Sequence, residues 1–168
     1  QLAATCPQQT GRYRQLSQAA TNHINDLRTR ERIKLWQSQP IRLFISTHKE
    51  VDLFDSLILQ PIQVGSANAE CRFTYMLHDD VGDHISNLNA QYCELTAQYW
   101  AWKNVHAEYY GFCHYRRYFN FSSIIYEENA FGEVVESYLD EAAQAKYALD
   151  DESIKKCITG FDVITTQF

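Results

Sequence analysis

Residues 89–119 read NAQYCELTAQYWAWKNVHAEYYGFCHYRRYF, and this stretch decides the fold. Apolar and aromatic side chains recur there at steps of three and four, which predicts a helix over residues 90–104. A run of aromatic residues then predicts a buried strand over residues 109–119. The strand ends in His114-Tyr115-Arg116-Arg117, a group of cations that predicts the anion-binding wall of an active site.

The alternation of side chains along a strand places His114 and Arg116 on one face, and Tyr115 and Arg117 on the other. Burying an arginine is costly unless it has a partner. We therefore expect Arg117 to form a salt bridge with a carboxylate of the loop at residues 79–83. Arg116 is then left for an anionic ligand, because its guanidinium matches phosphate or carboxylate oxygens.

A second candidate wall follows the strand predicted at residues 41–47, IRLFIST. Thr47, His48 and Lys49 come directly at its end, and open α/β sheets bind ligands beyond the carboxyl ends of their strands. The alternative is a solvated turn in which Thr47 caps the next segment.

A third cluster follows a strand predicted at residues 72–77. Its carboxylates, Asp79, Asp80 and Asp83, together with two neighbouring histidines, are donors that suit a divalent cation or sugar hydroxyls. Their spacing fits no EF-hand loop. The alternative is a loop shaped by aspartate side chains that bind backbone amides. Glu94, at the start of the central helix, either stabilises that helix start or points into a cleft.

The chain divides at Pro40. Residues 1–40 carry six Lys or Arg and two Asp or Glu, whereas the rest carries nine and nineteen. A helix predicted over residues 8–36 is interpreted as a linker or docking segment, with contact to anionic lipid headgroups as the alternative. Residues 41–168 form the second unit, with helices predicted at 131–148 and 150–157 and a last strand at 161–164. Because the sequence opens on Gln1 rather than Met, we expect a piece of a longer protein.

Composition excludes several classes. The net charge of −6 argues against a nucleic-acid-binding domain, and no apolar run is long enough to cross a bilayer. The five cysteines have no metal-ligand spacing, which is typical of free thiols in the cytosol. P-loop, dinucleotide-binding and acyl-hydrolase motifs are absent. Strands alternate with helices from residue 41 onward, which predicts an α/β sheet with a cleft at its strand ends.

The chain resembles a bacterial domain family of capsular and exopolysaccharide biosynthesis glycosyltransferases, formerly a domain of unknown function. The resemblance covers residues 41–164, and because the family continues further, it implies that the second unit is cut on its C-terminal side. Its motifs, in chain order, are PIQVG at 61–65, DDVGDHIS at 79–86, YCELT at 92–96, YWAWKN at 99–104 and GFCHYRRYF at 111–119.

The resemblance implies a GT-A-like, Rossmann-like mixed sheet flanked by helices. It also implies transfer of a hexose, suspected to be galactofuranose from UDP-galactofuranose, with inversion, onto a growing surface polysaccharide. The partners would be the nucleotide-sugar donor, an oligosaccharide or lipid-linked glycan acceptor, and other domains of the same polypeptide. The location would be the cytoplasm or the cytoplasmic face of the inner membrane.

One departure from the family's usual pattern concerns the metal. GT-A enzymes usually carry an Asp-x-Asp metal motif where this chain has His114-Tyr115-Arg116. We therefore expect metal-independent stabilisation of the diphosphate, with no cofactor required. The alternative is a divalent metal such as manganese, held by His114 and the loop at residues 79–83.

The predicted roles follow from these clusters. His114 and Arg116 would bind the diphosphate, and Thr47 and His48 the nucleoside. Carboxylates would hold the sugar hydroxyls or supply the general base. The full predicted site is catalytic Asp83, Glu94, His114 and Arg116, with Thr47, His48, Asp79, Asp80, Asp83, Tyr115 and Arg117 binding the substrate. The alternatives are a non-catalytic glycan-binding or assembly module of a larger polymerase, and a metal-dependent phosphoesterase.

Overall fold

The computed structural model of the chain describes residues 7–52 and 54–165, with the side chains of residues 7–15 and 17 left out. Its helices and strands, in chain order, are α1 Pro7–Gln37, β1 Ile41–Thr47, β2 Leu59–Gln63, β3 Leu77–His78, α2 Asn89–Tyr92, α3 Leu95–Asn104, β4 Tyr109–His114, α4 Glu141–Lys146 and α5 Asp151–Ile158. Short 3-10 turns lie at Ser66–Asn68 and Ser86–Leu88.

The described strands form one parallel sheet in the order β3-β2-β1-β4. The chain steps outward from β1 to β3 and then returns to the other side of β1 as β4. The strand order therefore reverses between β1 and β4, and open α/β sheets bind ligands at the carboxyl end of such a reversal. The prediction of an α/β, GT-A-like sheet flanked by helices is confirmed.

Side chains cover the sheet on both faces, which explains why β1 is buried along its whole length. On one face Phe44 and Ile62 pack against Trp36 of α1 and Trp100 of α3. The residues packed on the opposite face are Ile41, Leu43 and Ile45 of β1 with Phe54, Ile58, Leu149, Ile154 and Ile158.

The strand predicted at residues 72–77 is wrong, because only Leu77–His78 is extended and paired. The side chain of Gln63 takes the backbone bonds that a strand would have used. Its amide nitrogen donates to the carbonyl of Cys71 at 2.7 Å, and its amide oxygen accepts from the Phe73 nitrogen at 3.0 Å. These bonds hold the segment as a loop.

The helix predicted at residues 131–148 is also wrong, because the helical part begins only at Glu141. Asn129 bonds the backbone nitrogens of Phe131 and Glu133, and Gly132 adopts a φ of 70°. Asp140 then caps α4 by accepting from the Ala143 nitrogen at 2.9 Å. The apolar side chains predicted to lie inward are exposed instead, including Phe131, Val135 and Tyr138.

At the C-terminus one prediction is confirmed and one is wrong. Helix α5 begins after Asp150, whose side chain accepts from the Ser153 nitrogen at 2.9 Å. The strand predicted at residues 161–164 does not form, because these residues are exposed and pair with no strand in the described part of the chain.

Helix α1, Pro7–Gln37, confirms the helix predicted over residues 8–36, and its C-terminal end belongs to the core. Trp36 is fully buried and donates from Nε1 to the Ser56 carbonyl at 3.0 Å. Leu16, Ile24 and Leu27 of the stripe are exposed. The division of the chain at residue 40 stays a prediction. In the described part of the chain, no helix has the length and apolar character needed to cross a membrane.

A buried carboxylate connects the end of the sheet to the helices. Asp79 has no exposed surface, and its carboxylate accepts from the backbone nitrogens of Gly65 at 2.9 Å and Ser66 at 3.0 Å. It also accepts from the Ser86 hydroxyl, which itself accepts from the Ala67 nitrogen. Asp79 thereby joins the loop after β2 to the turn that begins α2.

Replacing Asp79 tests this connection. Asp79→Ala leaves buried amide donors without an acceptor, so we expect the free energy of unfolding to fall by roughly 2–4 kcal/mol. The measurement is urea denaturation. The control is Asp52→Ala, an exposed residue, for which a change of about 0.5 kcal/mol or less is expected. Equal stability of the two variants would contradict the structural role of Asp79.

Candidate functional site

The predicted strand at residues 109–119 ends early, at His114, because the chain turns back. The His114 nitrogen donates to the Arg117 carbonyl at 3.2 Å, and the Arg117 nitrogen donates to the His114 carbonyl at 2.8 Å. Tyr115 and Arg116 form the tip of this turn. The predicted alternation of faces is therefore wrong beyond His114, and Arg117 rather than Arg116 shares a cavity with His114.

That cavity, of about 280 Å³, lies between α3 and the carboxyl ends of β1 and β4. It occupies the reversal in strand order, where α/β folds bind ligands. Its walls are Ser46, Glu94, Gln98, Phe112, Cys113, His114, Arg117, Tyr118 and Phe119.

Glu94 faces this cavity. Its side chain makes no capping bond at the start of α3, and its Oε1 lies 3.6 Å from His114 Nε2. Of the two alternatives for Glu94, stabilising the helix start or pointing into a cleft, the structure shows the second. The carboxylate is half exposed, at 49% of its side-chain surface, so a ligand in the cavity can reach it.

A strained residue directs Glu94 toward His114. The predicted helix at 90–104 is interrupted at Cys93, which has a φ of 48° and a ψ of −128°. This conformation is costly for a residue with a side chain. It is held by Asn89, which donates to the Cys93 carbonyl at 2.8 Å, and by the Thr96 hydroxyl, which donates to the same carbonyl at 3.0 Å.

The surroundings of His114 indicate a neutral imidazole. Burial lowers its pKa from the ordinary 6.5, the Glu94 carboxylate acts in the opposite direction, and the nearby Arg116 and Arg117 lower it further. Nδ1 accepts a hydrogen bond from the Arg116 backbone nitrogen at 3.3 Å. We infer that the proton is on Nε2, which faces Glu94 and the cavity.

Aromatic and cationic groups lie beside the cavity on the turn. The His48 ring meets the Tyr115 ring edge-on at a centroid distance of 5.7 Å, and the Arg116 guanidinium lies 5.2 Å from the Tyr115 centroid. Arg116 is exposed and pairs with no carboxylate in the described part of the chain. Thr47 instead shapes the turn after β1, because its hydroxyl accepts from the Lys49 nitrogen at 3.0 Å.

The loop at residues 79–83 is not part of the cavity wall. Asp79 is buried, and its carboxylate binds the backbone nitrogens of Gly65 and Ser66. Asp80 accepts two bonds from Arg72, at 2.6 and 2.8 Å, and this bonding lowers the pKa of Asp80. Asp83 accepts from the Tyr99 hydroxyl at 3.0 Å. The proposed contacts of these aspartates with substrate stay predictions.

The predicted salt bridge between Arg117 and this loop is wrong. Arg117 Nε lies 3.8 Å from Glu133 Oε1, and Arg72 is the arginine that pairs with the loop. The turn at Tyr115-Arg116 explains the difference, because it carries Arg117 back over β4. Within residues 7–52 and 54–165, no three His, Cys, Asp or Glu side chains come together to hold a metal ion.

Two residues of the cavity wall with hydrogen-bonding side chains, Ser46 and Gln98, were not predicted from the sequence. Gln98 follows Glu94 by one helical turn, so the helical period alone places it on the same face. Ser46 is a polar residue beside Thr47, directly after the apolar residues 43–45 of β1, and that contrast was its signal.

A family model described as a domain of unknown function, DUF4422, matches residues 42–168. Among solved structures, the apo structure of the WbbM bifunctional glycosyltransferase is similar, with a TM-score of 0.68 and 40% identity over 74% of this chain. The match spans 22% of that larger chain. No curated protein matches.

The pKa of His114 gives a direct test of the cavity's electrostatics. We expect imidazole NMR signals to titrate below 6.5, and further below in Glu94→Gln, because that variant loses the carboxylate that favours the imidazolium. Protonation then occurs first in the unfolded chain, so His114 lowers stability as pH falls through 6.5 toward its folded pKa.

The imidazole signal that is lost in His114→Gln is assigned to His114. The control is Glu152→Gln, on the exposed surface of α5, which is expected to leave the titration midpoint of His114 unchanged. A midpoint at or above 6.5, or a rise of the midpoint in Glu94→Gln, would show that the described geometry is not the one in solution.

Proposed function

The chain belongs to the DUF4422 family, and from this premise we propose that it is a nucleotide-sugar-dependent glycosyltransferase domain. The observation that carries the proposal is the pairing of Glu94 with neutral His114 in a cavity at the strand-order reversal, beside exposed Arg116. The 40% identity to a glycosyltransferase structure supports the same reaction class.

The donor is proposed to be a nucleoside diphosphate sugar, with UDP-galactofuranose as the specific candidate. Arg116 binds the diphosphate, because its guanidinium is exposed, unpaired among the described residues, and always charged. His114 donates from Nε2 to an oxygen of the donor. His48 and Tyr115 contact the nucleoside, next to the arginine that holds its phosphates.

The reaction is proposed to be a direct displacement at the anomeric carbon, which inverts its configuration. The acceptor hydroxyl oxygen forms the new bond to that carbon, and the bond to the diphosphate oxygen breaks. The proton of the hydroxyl goes to a carboxylate, and the electron pair leaves with the diphosphate.

Glu94 is the better placed of the two carboxylates proposed as the base. It lines the cavity and is half exposed, so an acceptor hydroxyl can approach it. Asp83 lies outside the cavity wall and accepts from Tyr99. Glu94 lies on the Nε2 side of the His114 ring, and the Arg116 backbone nitrogen lies on the Nδ1 side.

The acceptor is proposed to be an oligosaccharide or lipid-linked glycan of a surface polysaccharide, elongated at the cytoplasmic face of the inner membrane. The matched region is 22% of the WbbM chain, so other domains of the same polypeptide are proposed as partners. A non-catalytic glycan-binding module is the competing function, and calorimetry separates the two: such a module binds oligosaccharide but not UDP.

Arg116→Ala tests the central residue. We expect transfer from the sugar nucleotide to fall by about a hundredfold, because a charge that stabilises the leaving diphosphate is lost. The protein should stay folded, since the side chain is exposed. Arg30→Ala, in the exposed ion pair of α1 with Asp26, is the control and should transfer at the wild-type rate. Full activity of Arg116→Ala would remove the proposed role.

Chelation tests whether transfer requires a divalent metal ion. Because fixed cations are proposed to neutralise the diphosphate, we expect transfer to continue at the same rate in excess EDTA. The measurement is the initial rate with and without EDTA, with thermal unfolding as the control for intact structure. A loss of activity that manganese restores would favour metal-assisted departure instead.

A further inference from the structure

We propose that the cavity between α3 and the end of β1 is the subsite for the donor's sugar ring, and that Ser46 and Gln98 determine which sugar is accepted. This inference rests on the proposed function. It adds to that function the position of the sugar and two residues that had no role.

The size of the cavity favours one ring over a whole nucleotide sugar. Pockets for drug-sized ligands usually occupy about 300–1,000 Å³, and this cavity has about 280 Å³. This volume lies at the lower end of that range, so we place the sugar ring inside the cavity and the nucleotide outside it, along the turn that carries His48, Tyr115 and Arg116.

The lining of the cavity suits a sugar. Phe112, Tyr118 and Phe119 provide aromatic surface for the C–H faces of a ring. The polar side chains of the wall come from the ends of β1 and β4, the turn that follows β4 and the start of α3, and they can form hydrogen bonds with ring hydroxyls. They are Ser46, Glu94, Gln98, His114 and Arg117.

Ser46 is central to this proposal because no hydrogen bond of the described fold involves its hydroxyl. The residue is only 2% exposed. The hydroxyl is not one of the fully enclosed polar atoms that lack a partner in the described part of the chain, so it is accessible from the cavity that Ser46 lines. Ser46 lies opposite His114 in the parallel register and lines the cavity, so a ligand hydroxyl can supply the missing partner.

Gln98 complements Ser46 from the other side of the cavity. It stands four residues after Glu94 on α3, so both side chains project from the same face of the helix. Its amide makes no side-chain hydrogen bond in the described chain and offers both a donor and an acceptor. Gln98 is an exposed residue of the cavity wall, and we place its amide against a second hydroxyl of the same ring.

Calorimetry with UDP and a panel of UDP-galactofuranose, UDP-galactose and UDP-glucose tests the subsite. The wild type should bind its preferred sugar nucleotide more tightly than UDP. Ser46→Ala and Gln98→Leu should each reduce that preference by about five- to tenfold, the loss expected for one hydrogen bond. Binding of UDP itself should not change, because the nucleotide lies outside the cavity.

Stability gives an independent check. Ser46→Ala should unfold at the wild-type denaturant concentration, because its hydroxyl is unpaired. The matched control is Ser56→Ala, a buried serine whose hydroxyl donates to Asp151 and accepts from the Ile58 and Leu59 nitrogens. That control should lose stability but keep the preference of the folded protein for the sugar nucleotide.

The outcomes separate the two proposals. The subsite is overturned if the wild type binds UDP but binds no sugar nucleotide more tightly than UDP. It is also overturned if the preference for the sugar nucleotide is unchanged in both Ser46→Ala and Gln98→Leu. In either case the glycosyltransferase proposal stands. If the wild type binds neither UDP nor any donor, the proposed function fails first.

Discussion

The buried carboxylate of Asp79 is the interaction on which the rest of the site depends. It holds the Gly65 nitrogen, and Gly65 has a φ of 67° and no side chain where Asn89 packs. A Cβ at Gly65 would lie 2.9 Å from the Asn89 amide oxygen. Asn89 in turn bonds the carbonyl of strained Cys93, and the next residue is Glu94. The direction of one cavity carboxylate is thus set by contacts that begin at the end of β3.

The sheet explains why these contacts converge on one place. In the order β3-β2-β1-β4, the segment from β3 to β4 must cross the sheet, and it carries α2 and α3 over one face. Trp100 and Ala101 bury α3 against Phe44 and Ile62, so the start of α3 is fixed above the carboxyl ends of β1 and β4. Parallel pairing then puts Ser46 opposite His114. Topology therefore brings together residues from three separate segments.

The pattern of apolar residues along the sequence predicted the elements that depend on burial and on side-chain periodicity. These elements are β1, the central part of α3 and the start of β4. It failed where a side chain competes with the backbone. Gln63 replaces a strand with a loop, and Asn129 with Gly132 replaces a helix with a turn. The same limit applies to Asp79, because nothing in its spacing distinguishes a ligand carboxylate from one that binds buried amides. The sequence did not predict the turn after His114 either, since Tyr115 and Arg116 are not typical turn residues.

The charges around His114 favour the neutral form of its imidazole. A protonated imidazole would pair with Glu94 and occupy the carboxylate proposed as the base. Burial and the two arginines keep the imidazole neutral, which leaves Glu94 free and Nε2 as a donor. In the proposed reaction, the positive charge needed by the diphosphate comes from Arg116. In that proposal a neutral hydrogen-bond donor at His114 and a cation at Arg116 act side by side, and Glu94 remains available as the base.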